Sequence, residues 1–449
     1  MVRRRIRASE GERRATIKAF RKSREESCGL FCPVVRSGKC RVAILGAGRA
    51  GVAFCSALRK LVPADQIEIA LVDRNDQHEL TPILHLVAAG LADFDDARSP
   101  IIPPAADAIQ FACAGVRMIQ LIDKMVLLDS SSLSYDILII ALGATTSYFR
   151  VKGARANALP LRSTTDAATI CTRMAQIVED DKPHRIIIVG GGATGVSLAA
   201  ALCEATRLNH CQDRISIVIV EAKSRLLSDW PSEVSRGATE VLVRNGVTLA
   251  LNARVEKVAK STILTTDGRR IDSALTLWTA GVIGSAIRTI PKISTTCDRR
   301  LKVDGFCKVG GFANVFAIGD IAAMDDMDGN PYPQLGQVAN QQADYLARQI
   351  ARSIAGDATP PTRFQGIVDG RLLSLGTNTF IGQFRNYTVQ GTIDSIIAKL
   401  AARSNSDPAL RSVVERLQSE ELDRSLRELA DLKTALFGEV RNLAQGKTV

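Results

Sequence analysis

The chain carries one strand–glycine turn–helix pattern twice, and this duplication limits its possible folds more than any other feature. Residues 40-CRVAILGAGRAGVAFCSALRKL-61 read as a buried apolar strand, a turn Gly46-x-Gly48-x-x-Gly51 and a helix. Residues 185-RIIIVGGGATGVSLAAALCEA-205 repeat the pattern, with Gly190-x-Gly192-x-x-Gly195 starting 144 residues later. Each copy is followed by a second strand that ends in an acid. Residues 66-QIEIALVD-73 bring Asp73 to a point 22 residues past Gly51, and 214-RISIVIVEA-222 brings Glu221. A repeat this long is a whole supersecondary unit, not a solenoid period.

The spacing has a physical reading. The first glycine permits the tight turn, the second lets a pyrophosphate approach the backbone, and the third lets helix and strand pack closely. The helix start then offers free N–H groups and a partial positive charge to phosphate. A strand-end carboxylate accepts from ribose hydroxyls. One such turn alone is weak evidence, but here each follows a strand, opens a helix and has its acid in place. Two units predict two dinucleotides. Glu221 favours NADH over NADPH, because a carboxylate about 4 Å from a 2′-phosphate repels it by roughly 4 kcal/mol at an effective dielectric of 20. Lys223 and Arg225 lie just beyond and soften that preference.

The net charge of +11 does not describe the body of the protein. Residues 1–41 hold 13 Lys/Arg against four Glu, which leaves 45 of the 58 basic and 43 of the 47 acidic residues for the rest, about +2. The basic stretch is expected to be a disordered tail suited to anionic surfaces, and no nucleic-acid partner is expected. The ten cysteines do not form a disulfide framework in a chain of 449 residues without a secretory signal. Cys28, Cys32 and Cys40 lack a fourth local ligand, so no metal is expected. No run of 18 apolar residues exists, so no transmembrane helix is expected.

Further along the chain, 135-YDILIIALG-143, 277-LWTAGV-282 and 313-ANVFAIGD-320 read as strands entering turns. A helix is expected over about 335–354 and short β runs over 363–391. Residues 408–443 place Leu410, Val413, Leu417, Leu422, Leu426 and Leu429 three to five apart, which predicts a helix.

These segments in this order resemble the pyridine nucleotide–disulfide oxidoreductase superfamily over about residues 40–350. 313-ANVFAIGD-320 resembles its second FAD signature, in which the Asp binds the flavin ribityl chain. Within the superfamily, 78-HELTPILHLVAAGL-91 and 336-GQVANQQ-342 resemble stretches of the type II NADH dehydrogenases, which are membrane-peripheral NADH:quinone oxidoreductases. The resemblance implies an α/β fold of two Rossmann-like domains, the FAD domain interrupted by the NAD domain, plus a C-terminal helical segment. The expected organisation is a tail over 1–39, an FAD domain over 40–158 and 283–354, and an NAD domain over 159–282. A β segment over 355–391 and a helical region over 392–449 follow. FAD is assigned to Gly46, Gly48, Gly51, Asp73, Ile119, Ala141, Gly143, Gly319, Asp320 and Gln337. NADH is assigned to Gly190, Gly192, Thr194, Gly195, Glu221, Ala280 and Gly281. Gln337 and Gln341 are the quinone-site candidates, and His78 or His85 is a candidate proton donor. The start of the helix near Leu335–Gln337 is expected to stabilise negative charge on the flavin by on the order of 0.3–2 kcal/mol.

Several positions depart from the family pattern. Ser197 stands where a Glu is usual, Gly336 where an Ala is usual and Gly366 where an aromatic is usual. Cys55 stands alone where disulfide reductases carry a pair, and no cysteine follows Cys307, so cysteine-based sulfur chemistry is not expected. The 408–443 segment mixes charges of both signs and has one aromatic, Phe437. A homodimer through this helix and membrane docking are therefore both open. The expected location is cytoplasmic, peripheral on the inner face of the cell membrane. Two alternatives stand beside the quinone reductase: a soluble NADH-dependent oxidase or reductase with another acceptor, and a non-catalytic redox-sensing flavoprotein.

Overall fold

The computed structural model describes residues 38–101 and 109–404, together with Arg411 and Val414. The basic tail with Cys28 and Cys32 and nearly all of the 408–443 segment lie outside the described residues. In chain order the elements that carry the argument are β1 (Cys40–Leu45), α1 (Arg49–Leu61), β2 (Ile67–Asp73), α2 (Leu84–Ala88), β3 (Ile109–Cys113), β4 (Ile137–Ile140) and β5 (Leu159–Pro160). Next come α3 (Thr164–Glu179), β6 (His184–Val189), α4 (Ala193–Leu208), β7 (Ile215–Val220), α5 (Ser232–Arg244), β8 (Thr248–Ala250), β9 (Leu275–Trp278) and β10 (Val315–Ala317). The last are α6 (Gly336–Ile354), β11 (Gly370–Ser374), β12 (Phe380–Phe384), β13 (Tyr387–Gly391) and α7 (Ile393–Ser404).

The chain divides into two compact units. The first gathers residues up to Asp76, then Ile101–Ala144 and Gly284–Ile367; the second gathers Gln77–Pro100, Thr145–Ile283 and the residues from Val368 onward.

In the first unit a parallel sheet has the order β10-β4-β1-β2-β3. Its central strands are apolar on both sides because both faces are covered. On one face Val42, Ile44, Ile69 and Ile139 pack under Phe54 and Leu58 of α1 and Leu346 and Ile350 of α6. On the other, Leu45, Leu138 and Ile140 pack with Ile119, Val126 and Tyr135. An antiparallel meander, Val116–Gln120, Met125–Leu128 and Ser132–Ser134, supplies that second cover.

The second unit repeats the plan with a parallel sheet in the order β5-β9-β6-β7-β8. Ile186, Ile188, Ile217 and Ile219 pack under Val196, Leu198 and Leu202 of α4. Ile187, Val189, Val218 and Val220 pack with Trp278, Val255 and Ile263 on the opposite face. Here too an antiparallel meander, Val255–Val258, Thr262–Thr265 and Arg270–Asp272, precedes the strand that returns to the sheet. α3 starts at a capping box in which the Ser163 hydroxyl accepts from the Asp166 N–H and the Asp166 carboxylate accepts from the Ser163 N–H. The antiparallel sheet β11-β12-β13 and α7 complete this unit, and Val414 is buried with Phe380, Ile396 and Leu400. Two parallel sheets, each with helices on one face and an antiparallel meander on the other, are the pair of Rossmann-like α/β units that the glycine repeat predicts.

Candidate functional site

The two glycine turns have the same geometry. Gly46 and Gly190 sit at φ +103° and +113°, a region that L side chains rarely adopt. A methyl group at Gly46 would strike the Ala141 carbonyl, and one at Gly190 would lie 2.6 Å from the Ala280 Cα. Gly51 and Gly195 back onto the carbonyls of Gly46 and Gly190, so helix and turn close together. Gly48 and Gly192 differ from these: beyond their own chain neighbours, no protein atom lies within 4 Å of where a side chain would be. Both are N-cap residues with no side-chain cap, which leaves first-turn N–H groups of α1 and α4 pointing into open space. That open, uncapped helix start fits a pyrophosphate.

The strand-end acids do the same work in each unit. The Ala47 N–H donates to Asp73 Oδ2 at 2.7 Å, and the Gly191 N–H donates to Glu221 Oε2 at 2.6 Å. The other carboxylate oxygens accept from the Asn75 N–H at 3.0 Å and the Lys223 N–H at 2.8 Å. Each acid thus ties its glycine turn to the loop after the second strand. Thr194 is exposed on the first turn of α4. Lys223 Nζ donates to the Ser228 hydroxyl at 2.7 Å. The Arg225 guanidinium donates to the carbonyls of Leu227, Ser228 and Trp230.

The fourth strands end differently. Ala141 leads to Gly143 at φ +63°, where Ser285 donates its hydroxyl to the Leu142 carbonyl and its N–H to the Gly143 carbonyl. In the second unit Thr279 follows β9, and its hydroxyl lies 3.1 Å from the carbonyls of both Val189 and Gly190. Ala280 and Gly281 come next, Gly281 at φ +154°. Ile119 is fully buried in the core, and its N–H is already donated to Arg288.

Gly319 and Asp320 form a tight turn after β10, ahead of α6. Gly319, at φ +72°, has no room for a side chain because Ala50 would lie 2.9 Å away. Its N–H donates to Gln342 Oε1 at 2.8 Å, and Gln334 donates to the Asp320 carbonyl at 2.9 Å. Gln342 is 2% exposed and was not among the expected site residues. Its signal is a polar side chain on the apolar stripe Val338, Ala339, Ala343, Leu346. Gln337 lies in the first turn of α6. Gln341 uses both ends of its amide on Ile367, donating to the carbonyl at 2.7 Å and accepting from the N–H at 2.8 Å. Two departures gain a local reason here. A methyl group at Gly336 would lie 2.7 Å from Arg49 Cδ, so glycine leaves room for Arg49. One at Gly366 would lie 2.9 Å from the Phe364 ring and 3.0 Å from Tyr332, so neighbouring aromatics fill that space.

Ser197 is buried on α4, and its hydroxyl donates to the Ser374 carbonyl at 2.7 Å. The Ser374 hydroxyl lies 2.5 Å from the Gly376 carbonyl and 3.0 Å from His85 Nε2. One hydroxyl proton serves only one of these, so the His85 tautomer decides which. Burial pushes the His85 imidazolium down to about 4, so the ring is neutral at physiological pH and acts as a structural partner, not a proton donor. His78 lies in a short strand, Gln77–Glu79, that pairs with Arg98–Pro100. Glu204, two turns beyond Ser197 on α4, accepts from the Thr377 N–H at 2.8 Å and from its hydroxyl. The eight described cysteines are free. Burial raises the thiols of Cys55 and Cys203 to about 12, so neither is a thiolate nucleophile. Among the described residues no cluster of three His, Cys, Asp or Glu is placed to hold a metal.

Comparison with known proteins places this geometry. A type II NADH:quinone oxidoreductase of Staphylococcus saprophyticus is 25% identical over 378 residues, covering 80% of this chain and 93% of that protein. NDH2 from Plasmodium falciparum, solved with NADH, superposes with a TM-score of 0.73 at 18% identity, over 85% of this chain and 99% of that one. Sulfide:quinone oxidoreductase from Aquifex aeolicus superposes with a TM-score of 0.69 at 16% identity, over 83% and 92%. At such identities the two superpositions speak for the fold. Residues 40–343, which hold both glycine turns, both strand-end acids and Asp320, match the family described as pyridine nucleotide-disulphide oxidoreductase, and the chain belongs to that family.

Proposed function

We propose that the chain is an FAD-dependent NADH dehydrogenase that delivers electrons to a quinone, with FAD at the first glycine turn and NADH at the second. The observation that carries the nucleotide reading is the matched pair of uncapped helix starts, each with an open glycine and a carboxylate bonded to the turn amide. Bound FAD would supply the two-electron chemistry.

The chain's own residues bind and orient. Gly48 and Gly192 admit phosphate to the backbone, and Asp73 and Glu221 keep lone pairs for ribose hydroxyls while bracing the turns. Lys223 and Arg225 are committed to Ser228, Leu227 and Trp230, so the Glu221 charge stands unopposed against a 2′-phosphate and favours NADH. Asp320 and Gln337, around the start of α6, belong to the flavin site in this reading. The quinone acceptor is supported by the relatives whose name states it, matched along 93% of their length. Gln341 positions the backbone at Ile367, whose exposed apolar side chain suits a quinone surface. No described helix is long and apolar enough to cross a membrane, so a membrane quinone would be met from the surface. Pairing or membrane docking through the 408–443 segment stays part of the proposal.

The test is absorbance of the purified yellow protein. NADH should bleach the flavin much faster than NADPH, and a short-chain quinone should restore the colour. Bleaching without reoxidation by quinone would move the acceptor to another class. No bleaching by either nucleotide would sink the dehydrogenase reading.

A further inference from the structure

Next to the nicotinamide-side strand of the second unit stands a turn that a sequence reading would not choose. Tyr148 and Val151 close it, the Val151 N–H donating to the Tyr148 carbonyl at 2.8 Å. Its two central residues, Phe149 and Arg150, both have positive φ, +46° and +58°. Turns with two positive-φ centres prefer Asn-Gly, because a bulky side chain there is strained. Such strain persists only where the surroundings hold it. They do so here. The Ser147 N–H donates to the Gly281 carbonyl at 3.0 Å, Trp278 Nε1–H donates to the Ser147 carbonyl at 2.7 Å, and the Tyr148 ring turns inward, 5.7 Å from the Trp278 ring. Phe149 turns outward. The residue is 62% exposed, yet its ring occupies the space over Gly281, where a methyl group would lie 2.9 Å from it.

Sheet order says which half of a dinucleotide meets this ring. Glu221 ends β7 on one side of β6, while Thr279–Gly281 follow β9 on the other. A dinucleotide crosses the strand ends at this switch point, with its adenosine ribose on the acid's side and its other half on the β9 side. An exposed aromatic over Gly281 therefore borders the nicotinamide half.

We propose that Phe149 is a binding residue for the nicotinamide ring of NADH, its own ring held over Gly281 by a strained turn so that the two rings pack together when the nucleotide enters. The inference rests on the second turn being the NADH site. It accounts for three observations together: the unfavourable turn residues, the bolts to Trp278 and Gly281, and an outward ring in a chain with 20 aromatics among 449 residues.

The experiment is calorimetric titration of the FAD-loaded protein with NAD⁺ and, separately, ADP-ribose, which lacks nicotinamide. Phe149→Ala should weaken NAD⁺ about tenfold, the scale of one lost aromatic stack, and leave ADP-ribose within about twofold. Phe149→Tyr should retain NAD⁺ affinity. Phe149→Gly removes the ring while suiting the positive φ, so it should show the same split without loss of thermal stability. Equal weakening of both ligands in the glycine variant, or unchanged NAD⁺ affinity, overturns the assignment of Phe149 and leaves the site reading intact. A wild-type protein that binds neither ligand overturns both.

Discussion

In the first unit the helix after the glycine turn, α1, buries five of its thirteen residues; in the second its counterpart α4 buries ten of sixteen. The two turns themselves are nearly superimposable in their bonding, down to the amide that each strand-end acid accepts. The difference is cover. α1 packs one face on its sheet and on α6, and its remaining residues meet solvent. α4 is also roofed by the α2 segment and by β11, through Leu84, Val87 and Leu373. The glycine turn is thus a local property of turn, strand and acid, while the individual character of each unit comes from what is laid over the helix. Ser197 and Glu204 of α4 bond to that roof at Ser374 and Thr377, His85 belongs to it, and the first unit has a different partner set built on α6 and Gln342.

The sharpest way to break the comparison is to damage the turns one at a time. Gly46→Ala forces a side chain at φ +103° against the Ala141 carbonyl and should yield colourless protein, with several kcal/mol of stability lost. Gly190→Ala should keep the yellow colour yet fail to bleach with NADH, which separates the sites by absorbance alone. If both variants lose flavin, the units are not independent cradles.

The next effect is confined to the roof. His85 is held neutral when folded, at about 4 against an ordinary 6.5, so the unfolded chain binds the proton first. Stability should be full above about pH 6.5 and fall as the pH drops toward 4, by about 3 kcal/mol in all. His85→Gln should flatten that part of a pH–melting profile, and an unchanged slope would remove His85 from the account. Glu221→Ala should narrow the preference for NADH over NADPH by about tenfold in kcat/KM, because solvent and salt around this half-buried acid screen much of the roughly 4 kcal/mol of contact repulsion. The smallest effect is Ser197→Ala, which leaves the Ser374 carbonyl without its donor and should lower stability by about 1 kcal/mol in denaturant titration.

Both turns, both acids and the two sheets were legible in the sequence because their signals are local: glycines at fixed spacing, unbroken apolar strands and an acid at a strand end. Gln337 and Gln341 were singled out by resemblance alone, and nothing in their spacing foretold that Gln341 would be tied to Ile367. The roof was not legible. Gln77–Pro100 has no glycine turn or long periodic face to say which unit it joins, and its place in the second unit is set by contacts such as Glu79 accepting from the Thr164 N–H and hydroxyl, 85 positions away. The Ser197–Ser374 bond spans 177 positions. The Phe149 turn breaks local preference outright, and rules built on local preference pass over such places.

The order in which the strands leave the ribosome gives the two units different histories. All five strands of the second sheet fall within residues 159–278, so that sheet can close as soon as its own stretch is made. The first sheet waits for its edge strand at Val315–Ala317 and for the helix Gly336–Ile354 that covers one face. At typical synthesis speeds that wait is on the order of ten seconds or more after Ala144 emerges. The sheet that begins first finishes last. On the reading proposed above, flavin capture is then a late event in biogenesis, because the newborn chain passes through a stage in which the second sheet has all its strands while the first still lacks its edge strand.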